Sequence, residues 1–245
     1  MKEYPIIIRS YDVLPDGSVK PSALQKYFQQ IALDDVAASG ASYPAMRAHS
    51  MVFVLTKLRM DILSPIRSGD TVRLCTFPYK IEGVNFFRAF ELWRGEELVG
   101  FADSRWVLIN YEKRTILRPS ELPFPLTPQM PTVALPVMPR RIAPTAAPDH
   151  VVTRRVLLTE VDENRHLNNC CYSDYLLDHL PASANVLRTP VRTLCILFDH
   201  EAYLGDTLEL RYQRVEDGFT VEAVDLTTEK SCFQALLALD FSAEL

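Results

Sequence analysis

A short pattern occurs twice, once in each half of the chain. Ser68-Gly69-Asp70-Thr71-Val72-Arg73-Leu74 is answered by Leu204-Gly205-Asp206-Thr207-Leu208-Glu209-Leu210. In both copies Gly-Asp-Thr leads into a run of strand formers. The surroundings repeat as well. Tyr4–Arg9 reads as a strand, and Pro21 opens a helix to about Ser39, with Leu24, Tyr27, Phe28, Ile31 and Ala32 on one face and Gly40 as its stop. Strands then read at Met51–Met60, Thr71–Tyr79, Val84–Trp93 and Leu98–Asn110, with a hairpin turn at Arg94-Gly95-Glu96. The second half keeps this order: a strand at Val151–Leu158, a helix, and strands at Val191–Phe198, Thr207–Val215, Phe219–Leu226 and Cys232–Phe241, with a turn at Asp217-Gly218. One helix followed by four strands buries its apolar stripe on one face of a curved antiparallel sheet. The sequence therefore predicts an α+β chain of two similar units, residues 1–118 and 151–245, paired as an internal pseudo-dimer.

Between them, residues 119–150 hold nine of the 17 prolines. Proline excludes helix and inner strand, so an extended, semi-rigid connector is expected. Its Phe124, Leu126, Val133 and Leu135 predict that it lies against the body.

The two units differ in one loop. Asp162-Glu-Asn164-Arg-His166-Leu-Asn168-Asn169 places a carboxylate, an amide and an imidazole two residues apart. In an extended loop such residues share a side, so Asp162, Asn164 and His166 are expected to converge. A helix follows, with Tyr172, Tyr175, Leu176, His179 and Leu180 as its stripe, Asn168 or Asn169 as its N-cap and Pro181 as its stop. Free N–H groups at that helix start polarise a carbonyl placed there. Taken alone, the same residues also describe a solvated polar loop ending in a cap. The repeat weighs against that account. Aligned on the helices, Leu14-Pro-Asp16-Gly-Ser18 stands opposite Asp162 to His166; aligned on Gly-Asp-Thr, Pro65 stands opposite Glu201. Only the second half carries the full set.

The rest of the composition excludes several classes. The chain has 245 residues, is 48% hydrophobic and carries a formal charge of −5, with no basic stripe, which argues against nucleic acid as a partner. No apolar run reaches membrane-spanning length, and the N-terminus lacks a signal-peptide core. Five cysteines without CxxC spacing fit a reducing cytoplasm and argue against a bound metal.

The chain resembles the acyl-ACP thioesterases, tandem hotdog enzymes. The resemblance rests on Ile8-Arg-Ser-Tyr-Asp12, the helix Leu24–Val36 with Gly40, Val54–Met60, Ser104–Asn110 with Arg114, the loop Asp162-x-Asn164-x-His166-x-Asn168-Asn169-x-x-Tyr172, and Phe198-Asp-His-Glu201. It implies hydrolysis of acyl-ACP to free fatty acid and holo-ACP by a cytoplasmic enzyme without a cofactor, present as a monomer or a homodimer of tandem units. Asp162, Asn164, His166 and Glu201 are the implied catalytic residues, with the backbone N–H near Asn169 holding the oxyanion. The implied acyl tunnel lies in the first half, with Phe28, Ile31, Phe53, Phe86, Phe87 and Trp106 as its candidates. The family often has Cys after the Glu; here it is Ala202, so no cysteine nucleophile is available at that position. An acyl-CoA thioesterase on the same fold is the nearest alternative, followed by a non-catalytic acyl-binding protein and a hotdog dehydratase. An acidic carrier protein needs a basic docking patch on a net negative chain. Arg140-Arg141, Arg154-Arg155, Arg188 and Arg192 are the candidates, expected at the pocket mouth.

Overall fold

The computed structural model describes residues 2–142, 144–181, 184 and 190–240. The first half runs β1 (Lys2–Ile7), α1 (Pro21–Ala38), α2 (Tyr43–Ala48), β2 (Met51–Ile62), β3 (Thr71–Glu82), β4 (Asn85–Arg94), β5 (Glu97–Asn110) and the short β6 (Thr115–Ile116). The second runs β7 (His150–Arg155), α3 (Cys171–Asp178), β8 (Val191–Phe198), β9 (Thr207–Val215), β10 (Gly218–Asp225) and β11 (Ser231–Leu239). All strands join one antiparallel sheet in the order β1-β3-β4-β5-β2-β8-β11-β10-β9-β7, with β6 beside β5. The order reads the same from either edge once each strand is replaced by its repeat partner. The expected α+β pseudo-dimer is therefore a single sheet with its two-fold between β2 and β8.

That seam is built from side-chain alternation. Leu58 faces Ile196 and Met60 faces Leu194 across the pairing. These four residues point inward and join one apolar cluster with Leu24, Phe28 and Ile31 of α1 and Tyr172, Tyr175 and Leu176 of α3. The helices of both halves thus cover one shared core. α1 starts at Pro21, whose missing N–H falls where a helix has no acceptor to offer. It ends at Gly40, which takes φ 93 and donates to the Ala37 carbonyl at 3.0 Å.

The connector crosses the opposite sheet face. Met138 and Ile142 pack on Cys195 and Leu197. The buried Glu91 carboxylate accepts from the N–H and hydroxyl of Thr132, both at 2.8 Å. Lys57 donates to the Pro139 carbonyl at 2.8 Å, and Gln234 accepts from the Ile142 N–H at 2.9 Å.

Several boundaries differ from the sequence expectation. β1 ends at Ile7 because Ile8 N–H turns to the Asp70 carbonyl and Arg9 N–H to the Asp12 carboxylate. β7 ends at Arg155 for the same reason: Val156 N–H bonds Asp206 and Leu157 N–H bonds the Glu160 carboxylate. α2 was not expected. It is short, and its start depends on Ser42 Oγ accepting from Ala45 N–H at 3.4 Å, with Pro44 in its first turn. Phe241 lies outside the described residues. Among the described residues no helix is long and apolar enough to cross a membrane.

Candidate active site

The loops before α1 and α3 are built bond for bond alike. Leu14 N–H bonds the Ser18 carbonyl at 2.7 Å, and Asp162 N–H bonds the His166 carbonyl at 3.0 Å. Gly17 N–H bonds Leu14, and Arg165 N–H bonds Asp162. Tyr27 hydroxyl donates to the Asp12 carboxylate at 2.7 Å, and Tyr175 hydroxyl to Glu160 at 2.5 Å. Each loop is then tied to a later segment: Val19 N–H to the Ile66 carbonyl at 2.9 Å, Leu167 N–H to the Ala202 carbonyl at 2.7 Å. Leu14, Asp16, Ser18 and Pro65 therefore occupy the places of Asp162, Asn164, His166 and Glu201. The sequence alignment of the halves holds in three dimensions.

The loop is a tight turn and not the extended segment expected from the sequence. Gly17 takes φ 83, and its counterpart Arg165 takes φ 69 without being glycine. Alternation therefore does not govern where the side chains point. Asn164 N–H closes back on Asp162 Oδ1 at 2.8 Å. Asp162 lines a groove of about 380 Å³ with Lys26, Gln29, Thr159 and Asn168. His166 turns to Glu201, its Nε2 3.7 Å from Oε1, with its ring edge-on to Tyr203. Among the described residues no hydrogen bond or ion pair joins the Asp162 carboxylate to His166 or Glu201.

Two residues of the first half complete the cluster. Arg114, in the turn after β5, donates to Glu201 Oε2 at 2.9 Å, where Tyr203 hydroxyl also donates at 2.6 Å. Tyr43 of α2 donates to Asn164 Oδ1 at 3.4 Å. Burial pushes the Glu201 carboxyl up. The Tyr203 hydrogen bond and the charges of His166 and Arg114 outweigh that, and hold it below the usual carboxylate range. Glu201 is thus an anion at neutral pH and a poor proton acceptor, suited to stabilising a protonated His166.

At the start of α3, Asn168 Oδ1 accepts from Cys170 N–H at 2.9 Å and its carbonyl accepts from Cys171 N–H. The N-cap position is Cys170, with no side-chain cap, so, against the sequence expectation, neither Asn168 nor Asn169 caps α3; Asn168 instead closes the turn that leads into it. Among the described residues no acceptor takes the Asn169 N–H. It remains available beside the loop. Burial favours the neutral form of the neighbouring thiols, pushing Cys170 up to about 12 and Cys171 up to about 11.

The apolar candidates separate into two places. Phe28 and Ile31 belong to the shared core, Phe28 stacked on Phe90 with centroids 4.6 Å apart. Phe53, Phe86 and Trp106 gather in a second cluster with Met46, Leu108, Phe124 and Leu126, under α2 and the connector. Phe87 packs edge-on against Tyr79. Of the basic candidates, only Arg154 is placed beside the groove, through Glu160, which lines it with Asp162. Arg154 is paired with Glu160 and lies over the Tyr175 ring, Arg140 sits on the connector near Lys57, and Arg188 lies outside the described residues. Among the described residues no group of three or more His, Cys, Asp or Glu is placed to hold a metal.

Family models for the acyl-ACP thioesterase N-terminal and C-terminal domains match residues 1–121 and 147–238. The chain belongs to the acyl-ACP thioesterase family. A chloroplastic acyl-[acyl-carrier-protein] hydrolase of Cuphea viscosissima is 28% identical over 258 residues, covering 97% of this chain and 59% of that protein. A second hydrolase of the same plant is 24% identical with the same coverage, so the chain spans 59% of the length of these relatives. Among solved structures, an acyl-ACP thioesterase of Bacteroides thetaiotaomicron aligns with a TM-score of 0.85 at 19% identity, over 98% of this chain and 97% of that one. A 12:0-ACP thioesterase of Umbellularia californica aligns at 0.82 and 16%, over 97% and 96%. These likenesses establish the tandem hotdog fold over 97% to 98% of this chain.

Proposed function

We propose that this chain hydrolyses acyl thioesters of acyl carrier protein, releasing free fatty acid and holo-ACP. The observation that carries the reading is the asymmetry of two otherwise matching loops. Asp162, Asn164, His166 and Glu201 stand where the first half has Leu14, Asp16, Ser18 and Pro65. A non-catalytic acyl pocket gains nothing from gathering those groups.

The chemistry divides as follows. Asp162 Oδ1 is held by the Asn164 N–H, while Oδ2 has no donor among the described residues. Oδ2 is assigned to take a proton from the attacking water, or to attack the thioester carbon itself and form a mixed anhydride that water then hydrolyses. The Asn169 N–H, at the positive end of α3, receives the carbonyl oxygen as it becomes an oxyanion. When the tetrahedral intermediate collapses, the C–S bond breaks and the thiolate takes a proton, for which His166, backed by the Glu201 anion, is the donor. Water supplies the hydroxyl of the acid and the proton of the thiol. Cys170 and Cys171, held as thiols, take no part. The acyl chain is assigned to the cluster of Phe53, Phe86 and Trp106, whose lining comes from α2, β2, β4, β5 and the connector.

The test is a comparison of one acyl chain on two carriers. Acyl-ACP is expected to give the higher kcat/KM. Preference for the CoA ester would move the assignment to the acyl-CoA thioesterases, and absence of hydrolysis with both would end the enzymatic reading.

A further inference from the structure

We propose that Arg47 is the receptor for the phosphodiester of the substrate's pantetheine arm. The inference rests on the thioesterase reading above. Arg47 lies on α2, with its guanidinium carbon 3.7 Å from the centre of the Tyr111 ring and 5.8 Å from that of Tyr43. The shorter distance allows only a face-on approach. A guanidinium carries its N–H donors in its own plane, so a plane resting on a ring keeps those donors turned outward and free.

Seven other arginines are spent on carboxylates. Arg59, Arg73, Arg88, Arg114 and Arg154 each pair with one, and Arg94 and Arg211 with two. Among the described residues no carboxylate pairs with Arg47, and the residue is exposed. Its platform is fixed: Tyr111 N–H bonds the Ser50 carbonyl at 3.1 Å, tying the turn after β5 to the end of α2. Glu112 and Lys113, next in that turn, are exposed and of opposite sign. They leave Arg47 as the oriented positive charge. An aromatic-stacked, weakly hydrated fork with free edges matches a phosphate in geometry and charge, which a lysine ammonium does not.

Its place fits the substrate. Tyr43, on which Arg47 also leans, is the residue that reaches Asn164 of the candidate catalytic loop. Arg47 therefore stands on the rim of the site, set back from the reacting groups. A thioester is separated from its phosphodiester by the length of the pantetheine arm, so a phosphate receptor belongs on the rim.

The arm and its phosphate are common to acyl-ACP and acyl-CoA, and acyl-pantetheine lacks the phosphate. Steady-state kinetics of wild type and R47A on acyl-4′-phosphopantetheine and acyl-pantetheine, with the same acyl chain, test the assignment. R47A is expected to raise KM for the phosphorylated substrate on the order of tenfold, with kcat and the acyl-pantetheine reaction unchanged. R47K is expected to recover little, and Y111L, which keeps the charge but removes the stack, to fall between. Acyl-ACP and acyl-CoA should show the same KM rise. Equal losses on both pantetheine substrates, or none on either, overturn the proposal. A loss confined to acyl-ACP also overturns it, by placing Arg47 against the carrier's surface. If wild type hydrolyses none of these thioesters, it is the thioesterase reading that fails; if it does not distinguish the two pantetheine substrates, that reading stands and the phosphate receptor falls.

Discussion

Leu14 and Asp162 hold the same position in two copies of one loop, and the difference between them is a test the molecule carries within itself. Replacing Asp162 by Asn keeps a side-chain oxygen for the Asn164 N–H but removes the proposed base. Replacing His166 by Ala removes the proposed proton donor, which faces Glu201. Each change is expected to lower kcat by about a hundredfold or more, the usual cost of an acid–base group. Asp16→Asn alters the matching loop of the first half, where Asp16 Oδ1 only accepts from Ser18, and should leave the rate near wild type. Rates alike in all three variants would remove the catalytic assignment. Asp162, Asn164, His166 and Glu201 stood out in the sequence as candidates because three of them fall within five residues and the repeat supplies a blank for comparison. Arg114 and Tyr43 were not legible as partners. They reach Glu201 and Asn164 from 87 and 121 positions away in the chain, and nothing local marks the pairing. Arg114 entered only as part of a strand motif, with no role attached.

At the scale of elements, strands were readable where strand formers run densely, as in β8 and β9, whose ends fall where the sequence put them. Ends set by tertiary hydrogen bonds were misplaced: β1 and β7 leave the sheet when Asp70 and Asp206 take their next N–H groups. α2 was missed because one capped turn has no period to read. The strands also bury charge that pattern alone does not explain. Asp103 on β5 is 3% exposed and accepts from Tyr79 hydroxyl on β3 at 2.9 Å. Burial pushes its carboxyl up from 3.8 to about 6, against the pull of Tyr79 and Arg105. The folded state therefore binds the proton more tightly than the unfolded chain. The stability this contributes is fully present below the unfolded value and is lost as pH rises through about 6. Asp103→Asn keeps an acceptor for Tyr79 and removes the charge. It should be more stable than wild type by about 1 to 3 kcal/mol near pH 8, with the advantage vanishing near pH 4. Urea unfolding at both pH values measures it, and a difference independent of pH would show that Asp103 ionisation is not its source.

For the whole molecule the decisive feature is that the repeat shares its core. The sequence predicted two units paired side by side, and it could not show that β2 and β8 fuse their sheets or that α1 and α3 sit over one apolar cluster. A seam of this kind makes each half depend on the other, because neither can expose its face of the seam without uncovering Leu58, Met60, Leu194 or Ile196. The distribution of tryptophan makes this measurable. Both tryptophans, Trp93 and Trp106, lie in the first half. Ile196→Ala, in the second half at a fully buried position opposite Leu58, should cost about 2 to 5 kcal/mol. If the halves unfold as one unit, tryptophan fluorescence and far-ultraviolet circular dichroism will move to the same lower denaturant midpoint, although the probes and the substitution are in different halves. If the halves are independent, the fluorescence midpoint will stay at the wild-type value while the dichroism curve splits in two.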